Sequence, residues 1–308
     1  MPEAGNNIVY SLVVLTYQRP RLLRNCLESI SRQDTHKGQL EVIVVDDGSS
    51  DDNKPIIEDF KGRLEITYVK QRHRGISAAR NSGIKSARGS FIAIIADDYY
   101  LPRDYLSKVS SFFNNHPDAQ VVRFNIRSCG HSWFRHVQQL YMQLVFWQAI
   151  REGAEPGGAV KSYELPASGA AVFRKELFLR VGVFNENLQG GEDVEFTMRL
   201  RKQAIAVYFF PDFYIEHWEA NTILSLLRQR YRYGGYFFYS LKKSGQKCDY
   251  ADKPFYDILK AIFNKYLEFW SLSRKIDRHG RYILFSPFIF LFLSLFYLGL
   301  YMESKRIS

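Results

Sequence analysis

Apolar positions fall in blocks along the first half of the chain. Ile8 to Thr16 is a continuous β-branched and apolar run, and Leu40 to Val45 and Phe91 to Ala96 are two more. Runs of this length bounded by turn residues read as strands buried on both faces. Leu64 to Val69 supplies a further strand between the second and third of these. The intervening stretches carry a different period. Leu22, Leu23, Cys26, Leu27 and Ile30 recur at helical spacing behind Pro20, which suits a first helical turn. A second helix runs to Phe60, and a short one of small residues spans Gly75 to Ala87. Strand and helix alternating in this way predict parallel βαβ units, a mostly parallel Rossmann-like α/β sheet flanked by helices on both faces.

Beyond the fourth strand the pattern loosens. A helix is expected from near Pro102-Arg103-Asp104, a strand over Val121 to Ile126, and an amphipathic helix over Ser132 to Arg151. The aromatic stripe of that last helix (Phe134, Tyr141, Trp147) reads as core, or as an interfacial face near a lipid-linked acceptor. Glu152 to Gly158 reads as a flexible, lid-like loop. Ser168 to Arg174 is a small-residue turn entering a strand, and Gly190-Gly191-Glu192-Asp193 opens another helix. Tyr208 to Phe210 and Phe213 to Ile215 read as two short strands leading to Glu216-His217-Trp218. From Asn221 the chain turns helical and basic, with Arg228, Arg230, Arg232, Lys242, Lys243 and Lys247. That segment is either a solvated face or one lying on anionic lipid.

No charge interrupts Tyr282 to Met302. As a helix it would be roughly 31 Å long, enough to cross a hydrocarbon core. Spanning, a buried core helix and an in-plane hairpin broken at Pro287 are the three readings of this tail. The basic excess on its N-terminal side favours a cytoplasmic body on the plasma or inner membrane.

The formal net charge of +10 points to an acidic partner. Nucleic acid is disfavoured, since no recognised motif is present and the strand ends are acidic. Three cysteines without CxxC spacing do not make a disulfide framework and fit a reducing compartment. The residues before the first strand lack the basic and apolar regions of a signal peptide.

Chemistry concentrates where strands stop. Thr16-Tyr17, Asp46-Asp47 and Asp97-Asp98 end three strands that a parallel sheet brings to one rim, where ligands of such sheets lie. Adjacent carboxylates there suit a divalent cation with phosphate ligands, or alternatively cap the following helix. A tyrosine ring can stack on a base, so a nucleotide fits this rim. No G-x-G-x-x-G follows the first strand and the sequence holds no G-x-x-x-x-G-K-[ST], which disfavours a dinucleotide site and a P-loop.

The ordered motifs Val14-Leu15-Thr16-Tyr17, Val44 to Asp51, Gly75 to Gly83, Gly89 to Pro102, Gly190 to Asp193 and Phe210-Pro211-Asp212 ahead of His217 resemble inverting glycosyltransferases of family 2. The resemblance covers about residues 8 to 220. It implies a GT-A fold over residues 1–220; charge and hydropathy divide the rest into a basic helical membrane-proximal region (221–281) and a hydrophobic transmembrane or membrane-inserted helix (282–302). The resemblance also implies that Thr16 and Tyr17 border the base of a nucleotide sugar, most commonly a UDP-sugar, and that Asp47 accepts from the base. Arg80 would lie near the diphosphate or Asp98, and Asp97 near ribose or sugar. Asp98 would bind a divalent metal, Mn or Mg, with His217 as a further ligand or a structural residue. Asp193 would be the general base toward a glycan or lipid-linked acceptor, rather than an ordinary acid of a first helical turn. Ala96 replaces the first of three carboxylates common in the family, and Gln18 replaces a commoner Asn. The basic segment lacks Gln-x-x-Arg-Trp, which implies transfer of one sugar rather than polymerisation. The competing reading is a catalytically degenerate transferase scaffold that binds a membrane surface.

Overall fold

The computed structural model describes residues 9–34, 39–129, 133–150, 158–163, 169–218, 222–248, 253–276 and 280–307. Most of the expected lid, 152–157, lies outside them, as do Ile8, Ser168 and Asn221.

The first half follows the apolar blocks. β1 (Tyr10–Thr16), α1 (Pro20–Ile30), β2 (Leu40–Asp46), α2 (Lys54–Phe60), β3 (Glu65–Lys70), α3 (Ile76–Ser86) and β4 (Phe91–Ala96) alternate as βαβ units. All pairings among these four strands are parallel. Along β1 and β2 almost every residue is buried, so no polar face survives to give alternation.

The next elements are β5 (Tyr99–Tyr100), α4 (Tyr105–Asn115), β6 (Val121–Ser128), α5 (Trp133–Ile150), β7 (Val160–Ser162), β8 (Ala171–Arg174), α6 (Leu177–Val181), α7 (Glu192–Lys202) and β9 (Val207–His217). They extend the sheet to the order β3-β2-β1-β4-β8-β6-β9-β5, with β7 also on β9. β8 inserts antiparallel between β4 and β6, so the sheet is mixed rather than purely parallel.

Two expectations need correction here. The two short strands expected at 208–215 are one strand, β9, interrupted by a register shift opposite Phe124 and Asn125. Pro211 has no N–H to give the ladder, and Asn125 Nδ2 donates to its carbonyl at 2.7 Å, so pairing resumes at Tyr214. The acids Asp97 and Asp98 do not cap the following helix, because β5 intervenes and α4 starts only at Tyr105.

One apolar layer lies under α1, α2 and α4, the other under α3, α6 and α7. A third core joins α5 to the C-terminal helices α8 (Ile223–Lys243), α9 (Phe255–Ile276) and α10 (Arg281–Ile307). Val137, Leu140, Tyr141 and Leu144 of α5 are buried in it, which is the core reading of that stripe. Arg230 is also buried, its guanidinium 4.8 Å from the Tyr141 ring centroid and 5.5 Å from that of Phe292, so it is no part of a solvated basic face. α10 runs unbroken through Pro287. Proline there leaves the Ile283 carbonyl without its usual N–H donor, and Ser286 Oγ donates to that carbonyl at 3.0 Å.

Candidate active site

Register brings the strand ends together. Thr16 pairs with Asp46 across β1 and β2, and Leu15 with Ala96 across β1 and β4, so Asp47 and Asp97 follow on either side of Thr16. Thr16 Oγ1 donates to Asp97 Oδ2 at 2.7 Å. Burial pushes the Asp97 carboxyl up to about 7, against the opposing pull of Arg19 and Thr16.

Arg19, at the N-cap of α1, was not foreseen. Its guanidinium reaches Asp97 Oδ1 at 2.6 Å and Asp98 Oδ2 at 2.7 Å, bridging the adjacent carboxylates. The available signal was a cation three residues beyond a strand end that faces acids. Burial raises Asp98 too, yet His217 and Arg19 outweigh it and hold this carboxyl below its ordinary value.

His217 arrives from far along the chain. β5 pairs antiparallel with the end of β9, setting Tyr99 opposite His217. The two rings meet edge to face at 4.9 Å, and the Trp218 N–H donates to the Asp98 carbonyl at 2.8 Å. His217 Nε2 thereby stands 3.4 Å from Asp98 Oδ1, a buried oxygen with no closer hydrogen-bond partner among the described residues. A carboxylate oxygen left over beside an imidazole fits a divalent cation, Mn²⁺ more naturally than Mg²⁺. No group of three or more His, Cys, Asp or Glu side chains among the described residues is placed to hold an ion alone. Phosphate oxygens or water must complete any coordination shell.

Asp46 and Asp47 divide their work. Asp46 is fully buried and accepts from the Ser49 N–H, Asn53 Nδ2 and Tyr68 Oη, which fixes the acidic turn. Asp47 accepts from Gln71 Nε2 at 2.7 Å and from the backbone N–H groups of Arg74 and Gly75 at 2.9 Å each. It thus ties the β2 end to the loop that opens α3. Beside it the exposed Tyr17 ring stacks on His73 with centroids 4.3 Å apart. That aromatic pair offers a flat surface at the rim.

Arg80 does not reach the Asp98 pair in this arrangement. It forms a buried ion pair with Glu192, beside the Phe184 ring. Asn81 clamps the same loop, donating to the Phe184 carbonyl and accepting from its N–H. Glu192, missed as a partner, and Asp193 begin α7 behind Gly191, whose φ of 75° suits glycine. Asp193 Oδ1 accepts from the Val194 N–H. Arg123, buried on β6, lies within electrostatic reach of both Asp193 and Tyr99; burial lowers its pKa and these two groups oppose that shift.

Comparison with known proteins gives a consistent picture. Residues 11–182 match the family described as Glycosyl transferase family 2. A hyaluronan synthase of Pasteurella multocida is 29% identical over 227 residues, covering 62% of this chain and 22% of the synthase. The poly(ribitol-phosphate) beta-N-acetylglucosaminyltransferase TarS of Staphylococcus aureus is 23% identical over 267 residues, covering 82% of this chain and 39% of TarS. The chain therefore spans well under half the length of either relative. Among solved structures, TarS 1-349 in complex with UDP-GlcNAc is similar with a TM-score of 0.56 at 18% identity, over 97% of this chain and 92% of that one. The mannosyltransferase PcManGT from Pyrobaculum calidifontis, in complex with GDP-Man and Mn²⁺, gives 0.64 at 19%, over 93% and 85%. The fold shared with these transferases is the GT-A fold.

Proposed function

The chain belongs to glycosyl transferase family 2, and we propose that it is an inverting transferase. It moves a single sugar from a nucleotide diphosphate sugar, a UDP-sugar foremost, to a hydroxyl of a cell-surface glycan or its lipid-linked precursor. The observation that carries this reading is the convergence of Thr16, Asp97, Asp98 and His217 on one strand-end rim beside Asp47. Nucleotide sugars in the similar TarS and PcManGT structures support the donor class. The names of the relatives support a glycan acceptor. Asp193 and His217 lie beyond the stretch matched to the family; the approach of His217 to Asp98 supports its role, and the resemblance of Gly190 to Asp193 to the family pattern supports that of Asp193.

Tyr17 and His73 take the base on their exposed stacked face. Asp47 organises the loop beneath the base and offers it a carboxylate, and Asp97 faces ribose or sugar. Asp98 and His217 would hold the divalent cation, which when bound neutralises the departing diphosphate. Asp193 removes the proton of the acceptor hydroxyl as its oxygen attacks the anomeric carbon from the face opposite the nucleotide. The bond from that carbon to the diphosphate oxygen breaks, and the configuration inverts. One carboxylate suffices, unlike glycoside hydrolysis with its acid and base pair. Arg80, held on Glu192, fixes the start of α7 and with it Asp193. The catalytic body faces the cytosol at the plasma or inner membrane.

The test is a melting curve with Mn²⁺ and each of UDP, GDP, dTDP and CDP. One nucleotide should raise the midpoint in a Mn²⁺-dependent manner, and Asp98→Ala should abolish the rise. No rise with any nucleotide would remove the nucleotide cleft and favour the degenerate scaffold.

A further inference from the structure

We propose that α9 and α10 lie flat on an anionic membrane surface, and that α10 does not cross the bilayer. This is independent of the donor and acceptor assigned above.

By length and composition α10 could span: Tyr282–Arg306 has a mean hydropathy of 2.3 in its most apolar window. Its packing excludes that. One face of α10 is joined to α8 at two close backbone approaches, Gly234 against Phe296 and Leu300, and Gly299 against the Tyr231 carbonyl. Only glycine allows helices so near each other. α8 is in turn held to the catalytic body. Ser240 Oγ donates to the Gly191 carbonyl at 2.8 Å, and the Tyr236 ring covers Gly190, at the very start of α7. α8 also exposes Arg228, Arg232 and Lys243. A spanning α10 would carry these charges and the edge of the catalytic body into hydrocarbon, or break the glycine contacts.

The opposite face of α10 is open. Leu284, Phe290 and Leu291 are exposed on this one broad side, and Leu259, Phe263 and Leu267 form a stripe on α9 at intervals of four. The two helices are antiparallel, as their ring pairs show: Phe255 with Tyr301 at 5.5 Å, Tyr266 with Phe290 at 5.2 Å and Trp270 with Tyr282 at 5.2 Å. An aromatic seam therefore runs between the two faces. Exposed bases flank them: Lys260 and Arg274 on α9, Lys305 and Arg306 on α10. Apolar faces beside aromatic rings with cations at the margins match the headgroup boundary of an anionic leaflet. A second copy of a chain with net charge +10 would set these cations against their own kind.

Two experiments decide it on the full chain. Arg306→Cys, in a background with Cys129→Ser and Cys248→Ser, is treated with a membrane-impermeant maleimide in spheroplasts of a bacterial host; Cys26 is buried. We expect labelling only after the spheroplasts are opened. Labelling of intact spheroplasts would mean that α10 spans, overturning the proposal. Purified protein is then floated with sealed phosphatidylcholine vesicles, with and without phosphatidylglycerol. Flotation should require the anionic lipid, weaken with salt, and fall at least tenfold for Leu259→Glu/Phe263→Glu at an unchanged melting temperature. No flotation, with a concentration-dependent dimer lost in that double variant, would assign the face to a second copy and overturn the membrane dock.

Discussion

Arg19 and Asp98 are joined by a 2.7 Å ion pair at the rim of the sheet, and the other arm of the same guanidinium holds Asp97. A protein cation thus occupies the place where like charges would otherwise repel. Removing it with Arg19→Gln should tighten Mn²⁺ binding several-fold without nucleotide, because the internal competitor is gone. The metal-free protein should lose about 1 kcal/mol, a modest figure since Arg19 is partly exposed and screened. Titration of free Mn²⁺ by electron paramagnetic resonance and a urea melt would read the two effects. Weaker Mn²⁺ binding in the variant would make Arg19 a supporting residue instead of a competitor.

Asp97 makes the rim sensitive to pH. Its native pKa of about 7 lies above its ordinary 3.8. Between those values the folded protein keeps a proton that the unfolded chain has released, so stability must fall as pH rises. The contribution is complete below pH ~4 and lost above ~7, on the order of 4 kcal/mol at most. Metal-free protein should therefore melt lower at pH 7.5 than at pH 5, and Asp97→Asn should flatten that slope. Cation binding favours the ionised form, so Mn²⁺ affinity should climb with pH up to about 7.

How much of this was written in the chain can be judged at particular residues. The ends of β1, β2 and β4 were legible because strands buried on both faces leave unbroken apolar runs that stop at Thr16, Asp46 and Ala96. Asp193 was legible only through resemblance, since an acid behind a glycine pair also describes any helix start. Arg19, Arg123 and Glu192 were not legible. Each acts through a partner remote in sequence, and no local period marks a long-range ion pair. β9 was misread as two strands because Pro211 signals a break locally, while pairing with β6 on either side of it restores one strand. Arg230 looked like one more surface base. Its burial depends on α5 and α10 closing over it.

Asp193→Asn should retain nucleotide binding and lose turnover. General-base removal of this kind costs on the order of 10²–10⁴ in rate. The nucleotide-induced rise in melting temperature should match that of the unaltered protein, while product formation falls. Loss of both would indicate that Asp193 holds the fold of the cleft.

The Arg80–Glu192 pair is buried on both sides. Replacing one partner leaves the other charge uncompensated, so Arg80→Met or Glu192→Gln should each cost about 3 kcal/mol. The double variant Arg80→Met/Glu192→Gln should recover part of that loss. A double-variant cycle by chemical denaturation measures the coupling; strict additivity would mean that the pair carries none.

At the α8–α10 crossing, Gly299→Ala puts a methyl against the Tyr231 carbonyl. The helices must separate, at about 1–3 kcal/mol. The same substitution at Gly245, with open space around it, isolates the effect of a positive φ from that of packing. Thermal melts of the two variants side by side make the comparison.

The antiparallel pairing of Tyr99 with His217 gives the meeting of Asp98 and His217 a position in time as well as in space. Asp98 leaves the ribosome long before His217 does, and the imidazole reaches it only when β9 has docked on both β6 and β5. A nascent chain that ends before β9 carries the strand ends of β1 and β2 but lacks the imidazole that stands beside Asp98. The approach of His217 to Asp98 is thus completed only at the end of sheet assembly.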